Sequence, residues 1–194
     1  KTSDFGPIGL VVIQATSLCN LDCSYCYLPD RQKRRVFDLE QLPLLLSRIY
    51  ESPYWGPNLS ILWHAGEPLT LPTTFYDQAT QRLQQATEEL QRQGVVIEQH
   101  IQTNATLIND AWCECFQRNN IVVGVSIDGP EDIHNSHRQF RNGLGSHGHT
   151  LKGIRTLRKH NIDFHAIAVL TEDALDQPDR LYTFFRDEGI HALG

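Results

Sequence analysis

The sequence predicts an α/β fold, a partial (β/α) barrel of about five to six βα units that is truncated before its last strands. Short apolar segments alternate with amphipathic segments of helical length, and polar loops follow the apolar segments. This alternation indicates right-handed βαβ units and a parallel sheet. So many units in succession favour a barrel, although an open, doubly wound sheet also fits the pattern.

Strands are predicted where β-branched and other apolar residues form short runs. The predicted strands are Leu10–Ala15, Leu59–Trp63, Val95–Ile101, Ile121–Ser126, Phe164–Leu170 and a segment that begins at Ile190.

The clearest predicted helix begins at Pro72 and ends at Gln93, with apolar residues three or four positions apart. The first helix has two possible starts, because Asp38 and Gln41 form a capping-box pattern while Pro43 favours a start at Leu42. The polar stretch 133–149 is predicted as a loop whose four histidines face solvent. Further helices are predicted over Asn109–Arg118, Thr150–His160 and Pro178–Glu188.

Composition excludes several classes of protein. The chain has 194 residues, 40% of them hydrophobic, which suits one globular domain. Its net charge is −6 and its one basic cluster, Arg31–Arg35, is short, so we expect no nucleic-acid partner. There is no apolar run of about 18 residues and no signal-peptide pattern. We therefore expect no membrane partner and a cytoplasmic location.

Three of the five cysteines, Cys19, Cys23 and Cys26, form a C-x3-C-x2-C pattern directly after the first predicted strand. An iron–sulfur cube normally takes four thiolates, so three clustered thiolates leave one iron free for a reacting ligand. The alternative is a zinc site, with His64 as a fourth ligand. The other two cysteines, at 113 and 115, lie on different faces of a predicted helix and are expected to be buried rather than to bind metal.

Polar turns follow the next strands, where ligands bind in parallel α/β proteins. Gly66 allows close backbone approach, and Glu67 offers a carboxylate to a cationic amine. Ser126 and Asp128 are candidates for binding sugar hydroxyls or for fixing a turn, and Arg138 for binding a carboxylate. The turns concerned are His64–Pro68, Gln102–Asn104 and Ser126–Pro130.

With these motifs in this order, the chain resembles a radical S-adenosylmethionine (SAM) enzyme over essentially all of residues 1–194. The resemblance implies that Cys19, Cys23 and Cys26 hold a [4Fe-4S] cluster whose fourth iron binds SAM. It further implies that one electron cleaves SAM to a 5′-deoxyadenosyl radical, which abstracts a hydrogen from the substrate.

The same resemblance implies contacts to SAM. Tyr25 would lie near the adenine, Gly66 and Glu67 at the methionyl amino group, and Ser126 near the ribose or carboxylate, with Arg138 a further candidate for the carboxylate. One departure is Ala65, which stands where many relatives have a second glycine. An alanine there requires a negative φ or a modest strain.

Within this superfamily the chain most resembles SPASM-type peptide maturases, in particular those that form cyclophane crosslinks in glycine-rich-repeat precursor peptides. Sulfatase-maturing enzymes share much of the pattern and are the near alternative; a non-catalytic electron-transfer or zinc protein is an alternative of another class. The resemblance implies a precursor peptide and an electron donor such as flavodoxin or ferredoxin as partners. It also implies a SPASM domain with auxiliary clusters beyond Gly194, and no catalytic acid or base is assigned. The segments that carry this likeness are Gln14–Thr16, Trp63–Leu69, Gln102–Thr106 and Asp128–Arg138.

Overall fold

The computed structural model describes residues 6–91 and 94–194, and in them one parallel sheet of five strands in the order β1-β2-β3-β4-β5. Neighbours in the sheet are also consecutive in the chain, as in a (β/α) barrel, so the predicted partial barrel is confirmed. The strands are β1 (Leu10–Ile13), β2 (Asn58–Trp63), β3 (Val96–Thr103), β4 (Ile121–Ser126) and β5 (Phe164–Ile167).

Helices connect the strands. The first, α1, begins at Gln41, so Pro43 lies in its first turn, where a backbone N–H has no partner inside the helix and its absence costs little. Asn109 caps α3, because its side-chain oxygen accepts a hydrogen bond from Trp112 N at 3.1 Å. The predicted end of the second helix, at 92–93, lies outside the described residues. The helices are α1 (Gln41–Glu51), α2 (Thr73–Gln91), α3 (Asp110–Arg118), α4 (Glu131–His137), α5 (His147–Lys159), α6 (Glu172–Leu175) and α7 (Pro178–Asp187).

One prediction about a chain segment is wrong. The stretch 133–149 is not one exposed loop, because α4 and the start of α5 lie in it and His134 and His147 are buried. The segment predicted to begin a strand at Ile190 pairs in parallel with β5 near its end, through a bridge between Leu193 and Ala166 and three backbone hydrogen bonds. β5 itself ends earlier than predicted, because the backbone N–H of Val169 donates to a side chain instead of continuing the ladder.

The two faces of the sheet differ because successive side chains along a strand point to opposite sides. One face, with Trp63 and Val123, packs with the helices into a single hydrophobic core. The opposite face, called here the inner face, carries Leu62, His100, Gln102, Gly124 and His165. No helix in the described part of the chain has the length and apolar character needed to cross a membrane.

Candidate functional site

The carboxyl ends of the strands open into one cavity of about 440 Å³, a size typical of small-molecule sites. Eight of the site residues predicted from the sequence line this cavity, whereas the candidate Asp128 lies outside its lining. The eight residues are Cys19, Cys23, Tyr25, Cys26, Gly66, Glu67, Ser126 and Arg138. The parallel topology therefore brings together residues from the loop after β1, the turn after β2, the end of β4 and the end of α4.

The three cysteines lie in the loop after β1, called here the cysteine loop (residues 16–28). All three thiols are free, and two arginines hold the loop by its carbonyls: Arg31 donates to Cys23 O at 3.0 Å and Arg141 donates to Cys19 O at 2.9 Å. Burial, with a smaller contribution from the nearby carboxylate of Glu67, raises the pKa of Cys19 to about 12. That thiol keeps its proton until a metal displaces it.

The arrangement of the cysteines bears on the kind of metal centre. Among residues 6–91 and 94–194, no three His, Cys, Asp or Glu side chains converge on a point where they could hold a single metal ion. A structural zinc site requires such convergence of four ligands. In an iron–sulfur cube each thiolate binds its own iron, so the thiols stand apart. Three free thiols in one loop match the donor set of a cluster with one open iron, whereas a structural zinc site needs a fourth ligand.

The turn after β2 has two successive residues in the left-handed region, Ala65 with φ 72° and Gly66 with φ 66°. Of the two alternatives predicted for Ala65, a negative φ or a modest strain, the structure shows the strained one. A Cβ on Gly66 would lie 2.2 Å from Thr16 O and 2.9 Å from Leu18 O, both in the cysteine loop. Glycine is required here because the turn packs directly on the backbone of that loop, where Glu67 N donates to Leu18 O at 2.8 Å.

The carboxylate of Glu67 is fully buried and already hydrogen-bonded. It accepts from Leu69 N at 3.0 Å, from Thr103 Oγ1 at 2.7 Å and from Asn104 N at 2.8 Å. Burial raises its pKa, against the opposing effect of these donors. A carboxylate can accept about four hydrogen bonds, so one position remains for a ligand. The predicted contact of Glu67 with an amino group stays a prediction.

A buried ion pair lies under the cysteine loop. Arg138 donates from Nε to Asp128 Oδ2 at 2.8 Å and from Nη2 to Oδ1 at 3.0 Å. Asp128 also accepts from Tyr25 Oη at 2.5 Å and Val169 N at 3.0 Å. Burial acts to raise the pKa of Asp128, but the Arg138 charge and these hydrogen bonds outweigh it and hold the pKa below its usual value.

These contacts separate the two roles that the sequence left open for Asp128. All of its acceptor positions are used inside the protein, so it fixes the turn and leaves nothing for a sugar hydroxyl. Among the described residues no hydrogen bond is made by Nη1 of Arg138, which leaves it for a ligand, and the guanidinium lies 5.5 Å from the ring centroid of Tyr25. The predicted contact of Tyr25 with an adenine stays a prediction.

His134 is a site residue whose role the sequence did not indicate. Its Nδ1 accepts from Asp128 N at 3.3 Å, so the ring proton is on Nε2, which donates to Ser146 Oγ at 3.0 Å. Ser146 in turn donates to Arg138 O at 2.7 Å. Burial, reinforced by the Arg138 charge, lowers the pKa of His134 to about 3 and keeps the ring neutral. In the sequence, only the spacing of Asp128, His134 and Arg138 could have indicated that His134 belongs to the site.

Cys113 and Cys115 are buried as predicted, on different faces of α3. Cys113 Sγ contacts Thr156 O of α5 at 3.9 Å, and Cys115 Sγ contacts Thr73 O of α2 at 3.7 Å. Neither lines the cavity. Two buried polar atoms of residues that line the cavity, His64 Nδ1 and Gln102 Oε1, have no hydrogen-bond partner among the described residues.

Comparisons with known proteins agree with this geometry. A family model described as "Radical SAM superfamily" matches residues 13–185. The chain is 43% identical to an uncharacterized protein of Synechocystis, over 99% of the chain and 48% of the relative. It is 34% identical to a serine-type anaerobic sulfatase-maturating enzyme of Bacteroides thetaiotaomicron, over 96% of the chain and 45% of the relative. The chain thus spans about half the length of the curated relatives it matches.

Two solved structures are similar as well. The enzyme anSMEcpe with bound AdoMet and the Cp18Cys peptide superimposes with a TM-score of 0.80 at 26% identity, over 96% of this chain and 50% of that one. SuiB of Streptococcus suis, bound to its precursor peptide SuiA, has a TM-score of 0.66 at 23% identity, over 97% of this chain and 38% of that one. At that identity the second likeness supports the fold alone.

Proposed function

We propose that this chain, which belongs to the radical SAM superfamily and whose cofactors are a [4Fe-4S] cluster and SAM, is the core of an enzyme that modifies a ribosomally made peptide. The observation that carries the proposal is the common cavity lined by three free cysteines and by the loops after the next strands. When bound and reduced, the cluster supplies the electron that cleaves SAM to methionine and a 5′-deoxyadenosyl radical.

We assign the cluster to Cys19, Cys23 and Cys26. Their free thiols and their common cavity support this assignment. The arginine contacts to the loop carbonyls and the hydrogen bonds of the Gly66 turn hold the loop in shape. Partial burial of the cysteines limits access of water to the metal.

We assign SAM to the rest of the cavity. Glu67 has one acceptor position left for an ammonium group, and Arg138 has one nitrogen left for a carboxylate. The buried Asp128 orients the guanidinium, so Arg138 is positioned before a ligand arrives. Tyr25 and Ser126 line the same cavity and complete the proposed set.

For the reaction itself we propose formation of a C–C crosslink of the cyclophane type, supported by the resemblance of four motif segments to such maturases. Oxidation of a sulfatase serine or cysteine to formylglycine is the second candidate, favoured by named relatives at 34% and 26% identity. A SPASM domain outside this chain and an external electron donor stay predictions from the resemblance.

The first experiment tests the cofactors. The full-length protein is reconstituted anaerobically with iron and sulfide, then given SAM and a strong reductant. We expect 5′-deoxyadenosine from the wild type and none from Cys19→Ala, since that variant lacks one thiolate. No 5′-deoxyadenosine from the wild type would remove the enzyme hypothesis, and zinc without labile sulfide would remove the cluster.

The second experiment tests the reaction. The full-length protein is co-expressed with a short glycine-rich precursor that contains aromatic residues, and separately with a sulfatase peptide that contains serine. Both candidate reactions remove two hydrogens, so mass alone does not distinguish them. An aldehyde-reactive hydrazide labels formylglycine and leaves a crosslinked peptide unlabelled. Labelling of the sulfatase peptide, with the precursor unchanged, would replace crosslinking by the second candidate.

A further inference from the structure

Residues 31–35, called here the basic strip, lie directly beside the cysteine loop, and four of the five are cations. These are Arg31, Lys33, Arg34 and Arg35. The last three are exposed, and none of the four lines the cavity assigned to SAM. The proposed function therefore gives these charges no role beyond the contact of Arg31 with the loop.

The backbone of the basic strip is fixed to the start of the cysteine loop. Cys19 N donates to Arg31 O at 2.9 Å, and Ser17 N donates to Arg35 O at 3.0 Å. Arg35 N donates in turn to Ser17 Oγ at 3.1 Å, and Ser17 Oγ donates to Lys33 O. The charges are therefore held along the loop that carries the three cysteines.

The charge of this surface is opposite to that of the whole chain. Two carboxylates, Asp22 and Asp30, form ion pairs with the strip. Arg141 adds a fifth cation, because its Nη2 donates to Arg31 O at 2.8 Å. Over residues 22–35 together with Arg141, five cations against two carboxylates give a net charge of +3, in a chain whose net charge is −6. Such a local excess attracts an acidic partner and speeds its association.

A surface cavity of about 270 Å³ adjoins the strip. Arg35 is one of its lining residues, and its apolar lining comes from Leu28, Pro29, Val36 and Phe37. Protein–protein interfaces commonly have an apolar centre and a polar rim. The strip and the cavity together have this composition.

We propose that the basic strip and this cavity form the docking surface for a flavodoxin, an acidic carrier whose flavin supplies the electron to the cluster; this rests on the proposed cluster at Cys19, Cys23 and Cys26. One electron passes from the flavin to the cluster, and no atom is transferred. The strip is one hydrogen bond from the cysteine loop, because Arg31 Nη1 donates to Cys23 O at 3.0 Å.

The position of the strip favours an electron carrier over the substrate peptide. A peptide must meet the radical in the cavity that holds SAM, whereas a carrier in that cavity would compete with SAM. The strip gives access to the cysteine loop from outside that cavity. The apolar cavity beside it suits the apolar edge of a flavin ring, which favours flavodoxin among acidic carriers.

Two variants test the charges. The strip variant replaces its three exposed cations by glutamine and keeps Arg31, which contacts Cys23. The control variant removes the same number of charges from exposed residues of α1 and α5. The strip variant is Lys33→Gln/Arg34→Gln/Arg35→Gln, and the control variant is Arg48→Gln/Lys152→Gln/Arg155→Gln.

The first measurement is binding, which needs no turnover. Oxidised flavodoxin is titrated calorimetrically into the full-length, cluster-reconstituted protein at low and at high salt. At low salt we expect the Kd of the strip variant to be about tenfold higher than that of the wild type, and the Kd of the control variant to lie within about twofold of it. High salt should remove the difference, because it screens exposed charges.

The second measurement compares two reductants through 5′-deoxyadenosine formation. Dithionite, at an excess where the rate no longer depends on its concentration, should give the same rate in all three proteins. With reduced flavodoxin, the strip variant should need about ten times more carrier for the half-maximal rate and reach the wild-type rate at saturation. A shift in the potential of the cluster would instead lower the rate at saturation.

Three results would overturn the assignment. They are equal Kd values for the strip and control variants, a rate that stays low at saturating flavodoxin, and a loss of peptide modification with dithionite while 5′-deoxyadenosine formation is unchanged. The last result would assign the strip to the peptide. No 5′-deoxyadenosine from the wild type with dithionite would refute the proposed function itself, so the two failures are distinguishable.

Discussion

Replacing Asp128 by Asn tests whether the buried ion pair holds the candidate site together. The side chains of Arg138 and Asp128 are 9% and 2% exposed, and two hydrogen bonds join them. The substitution keeps the size of residue 128 but removes its charge, and it turns one of its acceptors into a donor facing Arg138 or Tyr25. The Arg138 charge would then be buried without a counterion.

The expected loss is about 3–5 kcal/mol of the free energy of unfolding, the usual cost of breaking one side of a buried ion pair. The chain contains a control, because Asp132 and Arg180 also form a two-point contact, through Nη1 and Nη2 at 3.1 and 2.8 Å, with side chains 63% and 50% exposed. Asp132→Asn should cost less than about 1 kcal/mol, since water replaces the lost contact.

The measurement is urea unfolding of the full-length protein without iron, under reducing conditions, followed by circular dichroism. The double variant Asp128→Asn/Arg138→Met should be less destabilised than the sum of its single variants, because it leaves no unpaired charge. Two results would refute this reasoning. One is an equal loss of the free energy of unfolding in Asp128→Asn and Asp132→Asn, and the other is a loss in the double variant that equals the sum of its single variants.

Three further predictions concern single residues. His134 is held neutral with a pKa of about 3, so as pH falls below 6.5 only the unfolded chain takes up the proton. The free energy of unfolding should therefore fall by about 1 kcal/mol between pH 6.5 and 5.5. His134→Gln should remove this loss, and a variant with the same pH dependence as the wild type would contradict the prediction. Ala65→Gly should raise the free energy of unfolding by about 1 kcal/mol, because Ala65 has φ 72°; a decrease would refute the strain. Cys23→Ala should abolish iron binding on reconstitution, whereas Cys113→Ala should retain iron and lose only stability; equal iron loss would contradict the assignment.

The strands and the site positions were accessible from the sequence because they depend on local patterns. Ile121–Ser126 was predicted to the residue, since its apolar run begins after Asn120 and ends at the polar Ser126. The rule that the carboxyl ends of parallel strands meet at one edge predicted that the turns with Gly66, Glu67 and Ser126 lie beside the cysteine loop, whereas Tyr25 came from the family resemblance.

The missing parts depend on contacts between distant residues. Helix α4 was read as a loop because Glu131–His137 is polar, and burial of His134 becomes favourable only once Ser146 and the Asp128 backbone supply hydrogen bonds. The unpaired oxygen of Gln102 is equally invisible in a sequence, since it depends on a glycine of the neighbouring strand.

The cysteine loop is held by residues that follow it at a long distance in the chain. Tyr25 is 103 residues from Asp128, and Cys19 is 122 residues from Arg141. At a synthesis rate of about 5–20 residues per second, the cysteines leave the ribosome on the order of ten seconds before the groups that fix their loop. The cysteine loop therefore cannot complete these contacts until residues 128 to 141 have been made. We expect cluster insertion to wait for the end of folding, and the nascent thiols to need protection from oxidants in the interval.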